Sequence, residues 1–99
     1  MIIKINSKYT NEDVILTFGL YSNGTTAIMG KSLNHEPLFT ATVALDKKPF
    51  EGCVFLKGWS ENEGVPESLV KAGVVELTGR TIDCGYCKAQ EAKLLIDKE

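Results

Sequence analysis

The sequence lacks any long run of apolar residues. Three isoleucines near the N-terminus are followed by polar residues from Asn6 onward, so this segment has no hydrophobic stretch of the kind found in signal peptides. Nowhere does an apolar run approach the roughly 20 residues that a membrane-spanning helix requires. These absences predict a soluble, cytoplasmic protein with no membrane partner.

The chain also lacks a strong charge of either sign. Eleven Lys and Arg stand against 13 Asp and Glu, which gives a net charge of -2. So small a charge generates no field that would attract nucleic acid, and nucleic-acid binding is therefore disfavoured. The three cysteines are an odd number in a chain without an export signal, which favours reduced thiols over a disulfide framework.

What remains is ordinary globular composition. Hydrophobic residues make up 43% and charged residues 24% of the 99 residues, which suits a chain that encloses one hydrophobic core. We therefore expect a single domain over residues 1–99.

The clearest local signal for strands is Asn23-Gly24, which lies between two runs of β-forming residues. This dipeptide predicts a two-residue type I′ hairpin turn, because both central positions need a positive φ. In that register Leu20 lies opposite Ala27.

Further strands follow from short apolar runs and from alternation of apolar and polar residues. They are predicted at residues 2–5, 38–45, 53–56 and 74–77, with a turn at 78–79. Residues 88–95 are rich in helix formers. The rival interpretation is a strand from about Thr81, kinked at Gly85 and continuing through Ile96, and we favour this strand for the family reason given below.

One short helix is predicted near residues 64–72. Ser60 and Glu63 have the spacing of a capping box. Pro66 is tolerated only in the first turn of a helix, and Gly73 stands where a left-handed residue ends one. The predicted fold is therefore α+β, an antiparallel sheet of five or six strands with this helix packed against it. Because so short a helix leaves an edge or face of the sheet thinly protected, we also expect a homodimer.

The segment from Lys57 to Tyr86 resembles the domain-of-unknown-function family 4313, small proteins often found in Gram-positive bacteria and their mobile elements. The shared features are an E-N-E-G run, a short helix ending in A-G, and then T-G-R and G-Y. The residues that carry the resemblance are Glu61, Asn62, Glu63, Gly64, Leu69, Ala72, Gly73, Thr78, Gly79, Arg80, Gly85 and Tyr86. The resemblance implies a strand for the last segment and brings no activity with it.

Cys84-Gly85-Tyr86-Cys87 is the first pattern that could carry chemistry. Only 12 residues follow it, too few for a thioredoxin-like domain, in which the motif opens a long helix. As half of a zinc site it would need Cys53 and His35, which come from two other segments. Because zinc ribbons use two close pairs of ligands, we expect no metal and no other cofactor.

Four residues are the candidates for contact with a partner: Trp59, Glu61, Asn62 and Arg80. Trp59 is the only tryptophan, and a partly exposed indole beside Glu61 and Asn62 would be a binding anchor. Arg80 is expected to pair with one of the nearby carboxylates. No nucleophile elbow or comparable constellation is present, so no catalytic residue is predicted.

The function that these observations favour is a non-enzymatic protein-binding module, associated with a bacterial host or mobile element and binding a protein that the sequence does not name. One alternative is a thiol- or zinc-dependent regulatory protein that uses Cys84 and Cys87. Another is a small-ligand binder or enzyme with a pocket near Trp59.

Overall fold

A computed structural model describes residues 1–96, which form seven strands and one α-helix in two antiparallel sheets. The elements are β1 (Ile2–Asn6), β2 (Asn11–Leu20), β3 (Thr26–Lys31), β4 (Pro37–Thr40), β5 (Cys53–Leu56), α1 (Val65–Lys71), β6 (Val75–Asp83) and β7 (Lys88–Leu94). The first sheet has the order β1-β2-β3-β4 and the second the order β5-β7-β6. The α+β class with one short helix is confirmed, whereas the prediction of one sheet of five or six strands is wrong.

The two sheets arise because the predicted strand 38–45 changes partner. Ala41 N–H still donates to the carbonyl oxygen of Ile28 in β3 (2.8 Å), but Val43 N–H donates to the carbonyl oxygen of Phe55 in β5 (3.0 Å). The chain therefore leaves the first sheet after β4 and meets the edge of the second sheet. Alternation of apolar and polar residues continues through this point, so it does not mark the change.

The β2–β3 hairpin has a different turn from the predicted type I′ turn. Leu20 pairs with Thr26, one residue away from the predicted register, and the positive φ (85°) falls on Gly24. The side chain of Asn23 explains the difference, because its Oδ1 accepts a hydrogen bond from the backbone N–H of Thr25 (3.0 Å). This local bond fits a three-residue loop that ends in a left-handed glycine.

The start of α1 does not use the predicted capping box. Ser60 lies in a separate 3₁₀ turn, Ser60–Asn62, and no side chain caps α1. The chain instead enters the helix through Gly64 at φ 93°, and a Cβ there would lie 2.9 Å from the Cα of Ser7. Pro66 stands in the first turn as predicted.

The end of α1 is the predicted glycine stop. Gly73 has φ 77°, and its N–H donates to the carbonyl oxygen of Val70 (3.0 Å). Val74 N–H donates to the carbonyl oxygen of Leu69 (3.0 Å). These two bonds form a Schellman motif and satisfy helix carbonyls that would otherwise have no donor.

The helix packs against both sheets and seals the core between them. It contacts β1 in the first sheet and β6 in the second. The hydroxyl of Ser68 accepts from Asn6 N–H (3.0 Å) and donates to the Asn6 carbonyl (3.2 Å), which satisfies both backbone polar groups of this last residue of β1. The largest apolar side chains that are fully buried in this core are Ile5, Val14, Ile28, Val54, Leu56, Val65, Leu69, Val74 and Val75.

The C-terminal segment is a strand, as we favoured, but Gly85 reverses the chain rather than kinking it. Gly85 has φ 86°, and the N–H of Cys84 donates to the carbonyl oxygen of Cys87 (3.0 Å). β6 and β7 therefore form a hairpin with Gly85 and Tyr86 at its tip. The left-handed conformation therefore falls on the first of the two residues at the tip.

Residues 78–79 form part of a bulge, where a turn was predicted. Leu77 pairs with Ala92 and Thr81 pairs with Gln90, so three residues of β6 lie opposite Glu91 alone. Gly79, at φ 90°, supplies the left-handed conformation that such a bulge needs.

Candidate functional site

The bulge in β6 brings two side chains onto one buried carboxylate. Glu91 is only 4% exposed. Its Oε1 accepts from Nε of Arg80 (2.6 Å) and from the hydroxyl of Thr78 (2.9 Å), and its Oε2 accepts from the backbone N–H of Phe50 (3.2 Å). We refer to these four residues, Glu91, Arg80, Thr78 and Phe50, as the Glu91 cluster.

The Glu91 cluster keeps its carboxylate ionised despite burial. Burial alone would raise the pKa of Glu91. The hydrogen bonds from Arg80, Phe50 and Thr78, together with the charge of Arg80, outweigh that effect and hold the pKa below its ordinary value. Arg80 therefore has a fixed, charged partner inside the protein.

The same cluster holds an aromatic ring at the surface. The side chain of Phe50 is 63% exposed, yet the guanidinium carbon of Arg80 lies 4.3 Å from its ring centroid, which is a cation–π contact. A second exposed pair, Lys8 over Tyr9, is longer at 5.5 Å. Phe50 is therefore held at two points. Its backbone N–H donates to Glu91, and its ring contacts Arg80, which itself bonds to Glu91.

Two cavities meet at Phe50. The smaller has a volume of about 170 Å³, a floor that includes Phe55 and Ile82, and basic side chains from Lys47, Lys48 and Arg80 at its rim. The larger is an open groove of about 620 Å³. Its lining comes from the β2–β3 turn, from residues 48–53 and from Leu94 and Ile96. We define Lys47, Lys48, Phe50 and Arg80 as the Phe50 surface.

The predicted pairing of Arg80 with a carboxylate near Trp59 is wrong. Glu61 instead accepts a hydrogen bond from Nζ of Lys57 (2.7 Å). This bond is the largest of the contacts that lower the pKa of Glu61 to about 2. Arg80 pairs with Glu91, so the bulge of β6 directs it to β7 and away from the turn that holds Glu61.

Asn62 is the most buried of the predicted partner-contact residues. It is 1% exposed, and its Nδ2 donates to the carbonyl oxygen of Thr40 (2.6 Å). Its Oδ1 has no hydrogen-bond partner among residues 1–96. The side chain of Asn62 ties the 3₁₀ turn to β4 and is not accessible to a partner in this structure.

Trp59 stands apart from the Phe50 surface. The indole is half-buried, and the Trp59 carbonyl accepts from Asn62 N–H (3.1 Å). Phe50 precedes β5 whereas Trp59 follows it, and neither cavity beside Phe50 is lined by Trp59. Of the four predicted partner-contact residues, three therefore lie along one turn, and Arg80 lies elsewhere.

The four residues named for a metal do not form one ligand set. Cys84 and Cys87 stand at the tip of the β6–β7 hairpin. Cys53 lies in β5, where burial and then the charge of Glu91 raise the pKa of its thiol, and His35 is in the loop between β3 and β4. Over residues 1–96 no three His, Cys, Asp or Glu side chains are grouped as metal ligands would be.

Sequence reasoning missed Phe50 and Glu91. Phe50 sits in a lysine-rich loop after Pro49, and Glu91 is one of several polar residues in a stretch that is rich in helix formers. The one usable signal was that Glu91 shares a strand face with Ala89, because residues two apart in a strand point to the same side. A carboxylate on a face with alanine indicates a covered, partnered charge.

Comparison with known proteins adds no assignment: no family model, no curated protein and no solved structure matches this chain. The resemblance to family 4313 therefore stays a prediction. In the described part of the chain, no helix has the length and apolar character needed to cross a membrane. Function must be inferred from the site.

Proposed function

We propose that this chain is a small, non-enzymatic protein-binding module that binds its partner with the Phe50 surface. The supporting observation is an exposed aromatic ring and a guanidinium that a buried carboxylate holds in place. Aromatic residues, phenylalanine included, and arginine are enriched at protein interfaces relative to the rest of the surface. Side chains already fixed before binding lose little conformational entropy when the partner arrives.

The basic rim favours an acidic partner. The charge of Arg80 is offset by Glu91, but within residues 1–96 neither Lys47 nor Lys48 forms an ion pair. Lys47 and Lys48 supply the positive charge of the Phe50 surface, although exposed Asp46 and Glu51 flank it in sequence and the chain as a whole carries a charge of -2. Complementary charge steers binding and selects partners, so Asp and Glu are the residues expected to flank the bound segment.

The volume of the smaller cavity limits the size of the partner side chain that can enter it. Its volume of about 170 Å³ is close to that of a roughly 150 Å³ protein cavity that binds benzene. One large apolar side chain, such as Leu or Phe, would therefore fill it. The proposed ligand is a segment of a bacterial host or mobile-element protein in which one apolar residue is flanked by acidic residues.

Selection from a displayed library of random peptides tests this proposal. We expect enriched peptides to carry an apolar residue beside Asp or Glu, and to bind less tightly as salt is added because exposed charges are screened. The Phe50→Ser variant should lose binding at least tenfold. The matched control is Tyr9→Ser, because Tyr9 is an equally exposed aromatic at 66% and should be replaceable without effect on binding.

Two results would contradict the proposal. Selected peptides that bind Phe50→Ser as tightly as the wild type would place the interaction elsewhere. Tight binding of single-stranded oligonucleotides, lost on changing Lys47 and Lys48 to Gln, would show that the aromatic and basic residues serve nucleic acid instead, since such proteins combine the same two residue types.

A further inference from the structure

We propose that Cys84 and Cys87 form a thiol–disulfide exchange site, at which a low-molecular-weight disulfide oxidises the pair to an intrachain disulfide. This activity is independent of the Phe50 surface. It is suggested by the hairpin tip, where two cysteines flank a two-residue turn and face each other across it.

The turn places the two cysteines at bonding range. Asp83 pairs with Lys88, so Cys84 and Cys87 are the next opposed positions of the hairpin. The N–H of Cys84 donates to the carbonyl oxygen of Cys87 (3.0 Å). Opposed residues of an antiparallel pair have Cα atoms about 4.5–5.5 Å apart, which is within the range that a disulfide spans.

The thiol of Cys84 already lies over the turn. Its Sγ is 3.4 Å from the carbonyl oxygen of Cys87, to which it donates. Because the two residues already oppose each other across the turn, we expect side-chain rotation to bring the sulfurs together. Both cysteines are partly exposed and Tyr86 between them is fully exposed, so an external disulfide can reach them.

The third thiol, that of Cys53, differs from this pair in its surroundings. Cys53 lies in β5, and burial raises the pKa of its thiol. The thiolate is the nucleophile in disulfide exchange, so Cys53 should react more slowly.

The exchange takes place in two steps. The thiolate of one cysteine, having lost its proton to solvent, attacks a sulfur of the external disulfide, which forms a mixed disulfide and releases one thiolate. The thiolate of the other cysteine then attacks the protein-side sulfur of the mixed disulfide and releases the second external thiolate. The two protein thiols are thereby oxidised, and the external disulfide is reduced to two thiols.

Oxidised glutathione and intact mass spectrometry test the proposal on the full chain. We expect the native protein to lose the mass of two hydrogens, and peptide mapping to place the bond between Cys84 and Cys87. Thiol titration of the native protein should fall from three groups to one. A Cys53→Ser variant should form the same bond, with its titratable thiols falling from two to none, and Cys84→Ser should instead accumulate a glutathione adduct on Cys87.

Three results would overturn the proposal. The first is oxidation of Cys53 before the pair at the tip. The second is a disulfide between two chains, seen as a dimer on non-reducing gels. The third is zinc retained after purification without chelator, at half an equivalent per chain and protecting both thiols, because the pair would then be half of a metal site shared by two copies.

Discussion

Breaking the Glu91 cluster should reveal an energetic coupling between Arg80 and Glu91, because the two side chains share one contact. The perturbations are Arg80→Ala, Glu91→Gln and the double substitution. Removing one partner of a buried ion pair costs about 3–5 kcal/mol, because the other charge is left uncompensated. Arg80 is 53% exposed, so water can replace part of its contact, and we expect about 2 kcal/mol for Arg80→Ala.

The cost of Glu91→Gln has a different origin. A glutamine has one carbonyl oxygen to accept bonds, whereas Glu91 uses both oxygens, one for Arg80 and Thr78 and the other for Phe50. At least one of these donors is left without an acceptor, at about 2 kcal/mol. Because both single substitutions abolish the same contact, the double substitution should cost about 1 kcal/mol less than their sum.

Urea denaturation at neutral pH, extrapolated to water, measures these free energies of unfolding. Glu76→Gln is the matched control, because Glu76 is an exposed carboxylate on the same strand as Arg80, and it should change stability by less than about 0.5 kcal/mol. If the two single substitutions were additive within about 0.5 kcal/mol, Arg80 and Glu91 would not act as a unit, and Glu91 would not be what holds the Arg80 guanidinium in place.

Three further predictions concern pH and local geometry. Because the folded-state pKa of Glu91 is lowered, the stability that its carboxylate contributes is complete above about pH 5 and is lost as pH falls through that pKa. The urea midpoints of the wild type and Glu91→Gln should therefore converge in acid, and a difference between them that stays constant with pH would refute this. Gly73→Ala adds a Cβ in open space at a positive φ and should lower stability by about 1 kcal/mol. In Gly64→Ala the added Cβ also meets the Ser7 backbone, so this substitution should cost at least about 1 kcal/mol more. Equal costs in the same urea assay would contradict the close approach of Gly64 to Ser7. Ser68→Ala leaves both backbone groups of Asn6 without a protein partner and should lower stability by about 1–3 kcal/mol; a change below about 0.5 kcal/mol would mean that water replaces the hydroxyl.

Features that depend on a few neighbouring residues could be predicted from the sequence. The end of α1 required only that Gly73 adopt a left-handed φ, and Pro66 limited where the helix could begin. The strands at residues 2–5 and 53–56 followed from short apolar runs. In each case the physical cause lies within a few residues, so the local pattern and the final structure agree.

Predictions failed where the same local sequence is compatible with more than one structure. Asn23-Gly24 suits a type I′ turn, but the Asn23 side chain also accepts a hydrogen bond from Thr25. In the structure this bond occurs together with a three-residue loop. The capping box was displaced because Gly64 lies against Ser7, which is distant in sequence. The division into two sheets depends on where Val43 finds its hydrogen-bond acceptor, and alternation along one strand contains no information about its partner.

The candidate site was the least predictable part because its members are brought together only by the fold. Phe50 and Glu91 are 41 residues apart, and Arg80 reaches Glu91 only because three residues of β6 bulge opposite one of β7. Arg80 was a predicted partner-contact residue, but it was expected to pair with a carboxylate beside Trp59. To predict Glu91 as the partner of Arg80, the register of the β6–β7 hairpin would have been needed.

The proposed binding function accounts for the presence of a charged residue at the buried position of Glu91. Replacing a buried ion pair with apolar residues of similar size is often neutral or stabilising, because the desolvation cost of the charges disappears. Glu91 sits on a strand face beside Phe55 and Ala89, both buried, so its carboxylate bears a desolvation cost there. What the carboxylate adds is a fixed position for Arg80 and Phe50 at the surface, which an apolar residue could not give.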